Sequence, residues 1–195
     1  MAPRRMIRRR RRALLRRYKT PKTTQYFRCR IDLLSAIAKV AANVAYRWES
    51  LESSIYSVNN HLILNDTFKN LCNQYSYVRV KSISYLAYPD IRNQSLTSTG
   101  YVALTVWPRG FSEGYGTWEK CVDNPYFKIL NFIQPTYKYC NLLGGDNEWR
   151  ATSGDRFTWA SFYVVTTFLG SVAVDDAPKW IVKISVDCVF KSPIQ

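Results

Sequence analysis

Positive charge is concentrated at the N-terminal end of this 195-residue chain. Residues 1–22 hold nine arginines, two lysines and no acid, so they carry +11 of the formal net charge of +14. Residues 23–195 carry only the remaining +3. Like charges packed this closely repel one another and cannot form a hydrophobic core. We therefore predict two parts, a basic arm over 1–22 and one folded domain over 23–195.

The composition of the arm favours a polyanion as its partner. Arginine makes bidentate hydrogen bonds to phosphate and stacks on bases, and lysine does neither as well. We predict that the arm binds the nucleic-acid backbone without reading its sequence, through counterion release, and that it also acts as a nuclear-import signal. The predicted nucleic-acid-binding residues are Arg4, Arg5, Arg8, Arg9, Arg10, Arg11, Arg12, Arg16, Arg17, Tyr18, Lys19, Lys22, Tyr26, Arg28 and Arg30.

The rest of the chain is dominated by the alternation typical of β-strands. Six apolar residues recur at period two from Trp180 to Phe190, and residues 25–34 alternate in the same way. One face of 25–34 is apolar, and the other is basic and aromatic and follows directly from the arm. Tyr26, Arg28 and Arg30 on that second face are therefore predicted to stack with bases, as is Tyr18. Phe27 is a weaker candidate, because strand parity turns it toward the core.

Further strands are predicted over 77–88, 100–107, 127–133, 136–142 and 157–169. A slip in the apolar parity between Val80 and Ile83 predicts a β-bulge near Lys81 and Ser82. The 18 uncharged residues from Phe157 to Val174 reach the lower limit for a membrane-spanning helix, but their β-branched and aromatic content favours a strand.

Helix is predicted at one place only. Phe68, Leu71, Cys72 and Tyr75 have helical spacing behind the potential caps Asn65 and Asp66. Residues 33–46 fit either a helix or a strand, and long loops are expected over 108–125 and 143–156. Together these elements predict an all-β sandwich or barrel.

The residue patterns of enzymes and metal sites are missing from the sequence. His61 is the only histidine, and its place in a predicted loop is more typical of a surface residue than of a catalytic base. The five cysteines lack zinc-site spacing, and the glycines lack the spacing of a phosphate-binding loop. The adjacent Asp175 and Asp176 are more typical of a solvated loop than of a cation site. We predict no enzymatic activity, no cofactor and no metal, with Cys29 and Cys188 as small core residues.

One segment gives a resemblance to a known family. The stretch LNDTFKNLCNQYSYVRVKSISYLAYP at 64–89 resembles the helix-to-strand segment of circovirus-type capsid proteins. The order of the later elements is similar too: a short strand at 101–107, ILNFIQP at 129–135, the Trp/Phe-rich strand at 157–169 and ISVDCVF at 184–190. The chain is short for that family.

The resemblance implies a viral capsid protein with a single eight-stranded antiparallel jelly-roll β-sandwich. Copies of such a domain, 60 in the family's smallest T=1 shells, close into an icosahedral virion around circular single-stranded DNA. It further implies host nuclear-import receptors as partners, the host nucleus as the place of assembly and a host-cell receptor that the sequence does not identify. Whether RNA can replace DNA stays open at this point.

The sequence also suggests residues for subunit contacts and leaves two other functions open. Four aromatic residues near predicted loops are candidate anchors of subunit contacts, with ordinary core packing as the alternative: Trp107, Phe111, Tyr115 and Trp118. One rival function is a cellular nucleic-acid-binding β-barrel protein of ribosomal type with a basic tail, which would usually spread its basic residues over the folded body. The other is a membrane-associated protein that uses the arm on anionic lipid.

Overall fold

The computed structural model describes residues 25–33, 36–40, 46–48, 55–90, 99–107, 117–143, 147–153, 162–171 and 179–194. The predicted arm and the Asp175-Asp176 pair lie outside these ranges. The described strands are β1 Tyr26–Asp32, β2 Ala36–Val40, β3 Tyr46–Trp48, β4 Ile55–Ser57, β5 Tyr75–Pro89, β6 Thr99–Trp107, β7 Lys128–Ile129, β8 Thr136–Asn141, β9 Arg150–Ala151, β10 Tyr163–Ser171 and β11 Lys179–Pro193. The described helices are α1 Val58–Leu64, α2 Asp66–Gln74 and α3 Trp118–Val122.

Eight strands form two four-stranded layers with the order β1-β11-β5-β8 in one sheet and β4-β10-β6-β7 in the other. The pairs are antiparallel, and strands far apart in the sequence lie side by side, as β1 does beside β11. This connectivity is that of a jelly roll, so the predicted fold is confirmed. Three short strands add to the first sheet: β2 pairs with β11 beyond the end of β1, β3 pairs with β2, and β9 pairs with β5.

The core lies between the two layers. Tyr85 and Trp180 of the first sheet and Leu104 and Val164 of the second are fully buried. The hydroxyl of Tyr85 donates a hydrogen bond of 3.2 Å to the carbonyl oxygen of Leu104, which links the sheets across the core. The apolar face of β11 that the sequence predicts is buried along its length from Trp180 to Phe190.

The predicted bulge lies in the pairing of β5 with β11. Ser82 lies opposite Asp187, whereas Val80 lies opposite Cys188, so Lys81 is the extra residue. An extra residue restores the alternation after a slip in parity, and both halves of β5 can therefore bury their apolar side chains on the same face.

The predicted helix is confirmed as α2, which begins at Asp66 behind the N-cap Asn65. The prediction of a single helix was wrong, because α1 and α3 also form among the described residues. Helix α1 has a Ser57 cap that accepts from the backbone N–H of Asn60 at 3.4 Å. Its seven residues are too few to establish a helical period in the sequence.

Three other expectations are refined by the structure. The ambiguous segment 33–46 contains strand β2, and the strand predicted over 127–133 shrinks to Lys128–Ile129. That strand ends because the side-chain oxygen of Asn131 accepts from the backbone N–H groups of Ile133 and Gln134, at 2.7 and 2.9 Å, and forms a turn. Of the segment predicted over 157–169, residues 163–169 lie in β10, and 157–161 are outside the described residues.

None of the helices in the described part of the chain is long and apolar enough to cross a bilayer.

Candidate nucleic-acid interface

The outer face of the first sheet carries the described members of the predicted nucleic-acid-binding set. Tyr26, Arg28 and Arg30 alternate along β1 and are exposed, which is the face that the sequence predicts for them. The other twelve members, Arg4 to Lys22, lie outside the described residues. Phe27 faces the other way and stacks on Tyr75 with ring centroids 5.8 Å apart, although it keeps 42% exposure at the end of the sandwich.

Arg28 is held by an ion pair on this face. Its guanidinium lies 3.4 Å from a carboxylate oxygen of Asp187, which also accepts from the hydroxyl of Ser82 at 2.8 Å. Asp187 is more enclosed than the arginine, with 18% of its side chain exposed against 57%. Arg28 therefore offers a partly neutralised charge to any ligand.

Arg30 belongs to a second ion pair next to the first. It donates to the hydroxyl of Ser185 at 3.0 Å and lies 3.6 Å from the carboxylate of Asp32. Lys183 approaches the same carboxylate at 3.4 Å, and Ser185 donates to it at 2.6 Å. The hydrogen bond from Ser185 is the main reason that the pKa of Asp32 lies below its ordinary value, with Lys183 and Arg30 adding to the effect against a smaller opposite effect of burial.

Two further cations at the end of the sheet where β1 begins share one indole ring. The guanidinium carbon of Arg79 lies 4.7 Å from the ring centroid of Trp149, and the ammonium nitrogen of Lys191 lies 4.3 Å from it. Lys191 also lies 5.1 Å from the ring of Tyr77, and Tyr26 stacks on Trp149 at 5.9 Å. We call these five residues, Tyr26, Tyr77, Arg79, Trp149 and Lys191, the Trp149 cluster.

The Trp149 cluster differs from the ion pairs in its charge. Within the described part of the chain, neither Arg79 nor Lys191 is paired with a carboxylate. The neighbouring acid Glu148 lies 3.2 Å from Arg150 instead. The outer face thus has a region of compensated charge around Asp32 and Asp187 and a region of two unpaired cations among aromatic rings.

Sequence reasoning identified Tyr26 but missed the other four members of the cluster. Trp149 falls in a predicted loop, and Arg79 and Lys191 are single basic residues within apolar strands. Only the pairing of β5 with β11, which places Tyr77 opposite Lys191 and Arg79 opposite Val189, brings them together. The regular alternation in 77–80 and 186–191 could have predicted that Arg79 and Lys191 point outward. It could not have predicted which residues lie beside them.

The aromatic residues predicted as contact anchors pack within the subunit where they are described. Trp118 is half-buried and lies edge-on to Phe127 at 5.4 Å and tilted to Tyr101 at 6.3 Å. Trp107 is half-buried as well. The part of Trp107 and Trp118 that stays exposed leaves their role as contact anchors a prediction, and Phe111 and Tyr115 lie outside the described residues.

The cysteines and the histidine have structural surroundings. Cys29 lies opposite Cys188 on the inner face, as predicted, and burial raises the pKa of the Cys29 thiol to about 11. His61 lies in α1, not in the predicted loop, where its Nδ1 donates to the carbonyl oxygen of Ser57 at 2.8 Å and its ring stacks on Tyr56. Among the described residues, no group of three or more metal-binding side chains comes together.

No protein-family model and no curated protein matches the chain. Solved structures match its fold over most of its length. Mud crab tombus-like virus gives a TM-score of 0.60 at 12% identity, covering 88% of this chain and 83% of that chain. The nodavirus of the giant freshwater prawn Macrobrachium rosenbergii gives 0.58 at 10% identity, with 88% and 85% covered.

A third structure is similar in size to this domain. It is a T=1 subviral particle of a Penaeus vannamei nodavirus capsid protein deletion mutant, with a TM-score of 0.57, 10% identity, and 85% of this chain and 98% of that chain covered. Identities this low show the fold alone. The described domain has the jelly-roll fold of viral capsid proteins, and its resemblance to the circovirus type in particular stays a prediction.

Proposed function

We propose that this chain is a viral capsid protein, similar to those of circoviruses, whose jelly roll self-assembles into a small icosahedral shell. In this proposal the arm of residues 1–22 packages circular single-stranded DNA inside the shell. The arm also engages host nuclear-import receptors, so that the protein passes through the host nucleus before it becomes part of the virion. The role is structural and requires no catalytic group.

The observation that carries this proposal is that one chain combines a capsid-type jelly roll with a basic arm that holds most of the net positive charge. A body with only +3 over 173 residues can approach copies of itself without strong repulsion, whereas the arm with its +11 needs a polyanion. A ribosomal-type binder has less support, since the exposed cations Arg28, Arg30 and Lys183 lie in ion pairs on the surface of the body.

The charge of the arms suits a small genome. If a shell holds 60 copies, its arms carry about 660 positive charges, and each nucleotide carries one negative charge. The arms could then neutralise several hundred nucleotides by themselves, on the order of a thousand together with mobile counterions.

The test compares three forms of the full-length chain: wild type, a variant with Arg8 to Arg12 changed to serine, and a control with the same five residues changed to lysine. We expect wild-type protein to sediment as large particles, visible by negative-stain electron microscopy, that protect nucleic acid from nuclease. The serine variant keeps about +6 of the arm's charge, so its protected nucleic acid should fall to roughly half, and the lysine control should retain most of it.

Two results would contradict the proposal. The first is a small monodisperse species at physiological salt with single-stranded DNA present, and the second is an unchanged content of nucleic acid in the serine variant. The DNA part is checked by reassembling dissociated protein with equal amounts of circular single-stranded DNA and RNA. We expect DNA to be packaged, and particles that take up RNA to the exclusion of DNA would overturn that part alone.

A further inference from the structure

The cations on the outer face of the first sheet have two kinds of surroundings, ion pairs with aspartates and contacts with aromatic rings. Arg28, Arg30 and Lys183 each lie within 3.6 Å of an aspartate, so their charge is partly neutralised within the protein. Arg79 and Lys191 instead share the ring of Trp149 and have no carboxylate partner in the described part of the chain. The two like charges beside one ring repel each other, and an external anion bound between them would relieve that repulsion.

The Trp149 cluster also lies where the arm joins the body. Tyr26 is the first residue of β1, and the last basic residue of the arm, Lys22, precedes it by four residues. Four residues span at most about 14 Å. A strand bound at Lys22 would therefore lie within reach of the cluster.

We propose that the Trp149 cluster is a second nucleic-acid site, which holds single-stranded nucleic acid against the folded domain at the root of the arm. This inference rests on the function proposed above and adds two statements to it. The body as well as the arm contacts the packaged strand, and this end of the first sheet faces the inside of the shell.

The chemistry of the cluster fits a nucleotide strand. Arg79 and Lys191 supply two positive charges for backbone phosphate, and the Trp149 ring keeps the two long side chains in place through cation–π contacts. Tyr26 is 63% exposed and Tyr77 is 42% exposed, so each has ring surface left on which a base can stack. An acidic peptide would satisfy the charges but would leave these flat aromatic surfaces without a matching group.

A charge-matched pair of double variants tests the proposal in the full-length chain. R79Q/K191Q removes the cations of the cluster, and the control K69Q/K128Q removes two exposed lysines away from it, Lys69 on α2 and Lys128 on β7. Binding to a labelled dT30 oligonucleotide is measured from 50 to 300 mM salt. We expect R79Q/K191Q to lose about tenfold in affinity and about 1.4 in the slope of log K against log salt, and the control to change less than about twofold.

A second measurement locates the strand directly. In wild-type protein, photocrosslinking of dT30 that contains 5-iodouracil should give adducts at Tyr26, Tyr77 or Trp149, identified by mass spectrometry. Adducts confined to residues 1–22 would overturn the inference. Because this experiment uses unmodified protein, it decides the matter even if R79Q/K191Q fails to fold, and the conservative variant R79K/K191R should bind as wild type does.

The outcomes separate this inference from the proposed function. If R79Q/K191Q binds dT30 as the control does, the cluster is not a nucleic-acid site, although the arm can still package the genome. If R79Q/K191Q binds normally but no longer forms particles, the cluster is a contact with a neighbouring subunit, and the inference is wrong. Loss of binding in R79Q/K191Q together with unchanged nucleic acid in the Arg8 to Arg12 serine variant would support the cluster and contradict the proposed role of the arm.

Discussion

Asp32 connects the arm-proximal strand to the rest of the first sheet. Its carboxylate accepts from Ser185 on β11 and lies within 3.6 Å of both Lys183 and Arg30. These contacts favour the ionised form and lower the pKa of Asp32 in the folded protein. A carboxyl whose pKa is lower when folded stabilises the fold fully at neutral pH and loses this contribution as the pH falls through the lowered pKa.

We therefore predict that D32N lowers the free energy of unfolding at pH 7 by about 0.5–1 kcal/mol, a small value because the side chain is half exposed. The difference between D32N and wild type should be smaller at pH 3 than at pH 7, because Asp32 becomes protonated as the pH falls through its lowered pKa. Urea unfolding of the unassembled chain at the two pH values measures this. D123N, at an exposed aspartate without an ion pair among the described residues, is the control, and a pH-independent effect of D32N would contradict the prediction.

Helix α2 shows how an element depends on one side chain at its end. The side-chain oxygen of Asn65 accepts from the backbone N–H of Phe68 at 3.1 Å, and Phe68 is buried with its ring 6.0 Å from that of Phe190. The cap thus holds in place the turn that contributes a core residue.

We predict that N65A destabilises the fold by about 1 kcal/mol, because it leaves the N–H of Phe68 without its acceptor. N65D keeps an oxygen acceptor at the same position and should cost only a few tenths of a kcal/mol. The comparison is made by urea unfolding, and equal losses in the two variants would show that the cap contributes nothing.

The elements differ in how far the sequence reveals them. Period-two alternation predicted β1 and β11, and further β-type segments predicted β5, β6 and β8. The slip in parity near Lys81 predicted the bulge, because burial of one sheet face imposes a local period on the sequence. Helix α1 and the turn at Asn131 escaped prediction, since each depends on a few polar hydrogen bonds. The Trp149 cluster escaped for a different reason: its members come from β1, β5, β11 and a loop, and no local pattern encodes which strands become neighbours.

At the scale of the whole molecule, the separation of charge decides how the chain can assemble. In the proposed shell, arms of +11 brought together at the inside would repel one another wherever their charges lie within the Debye length of about 10 Å at 0.1 M salt. Nucleic acid removes the repulsion by neutralising the arms. The body, with +3, has no comparable barrier.

From this balance we predict opposite requirements for two forms of the protein. The full-length chain without nucleic acid should need high salt to form shells, whereas a variant that lacks residues 1–22 should form empty shells at physiological salt. Light scattering against salt concentration, followed by electron microscopy and the ratio of absorbance at 260 and 280 nm, tests both. Shells of the shortened variant that still protect as much nucleic acid as wild type would show that the cargo is held by the body alone. A shortened variant that stays monomeric at every salt concentration would show that the arm forms the contacts between subunits. The proposal that the body assembles and the arm only binds nucleic acid would then be wrong.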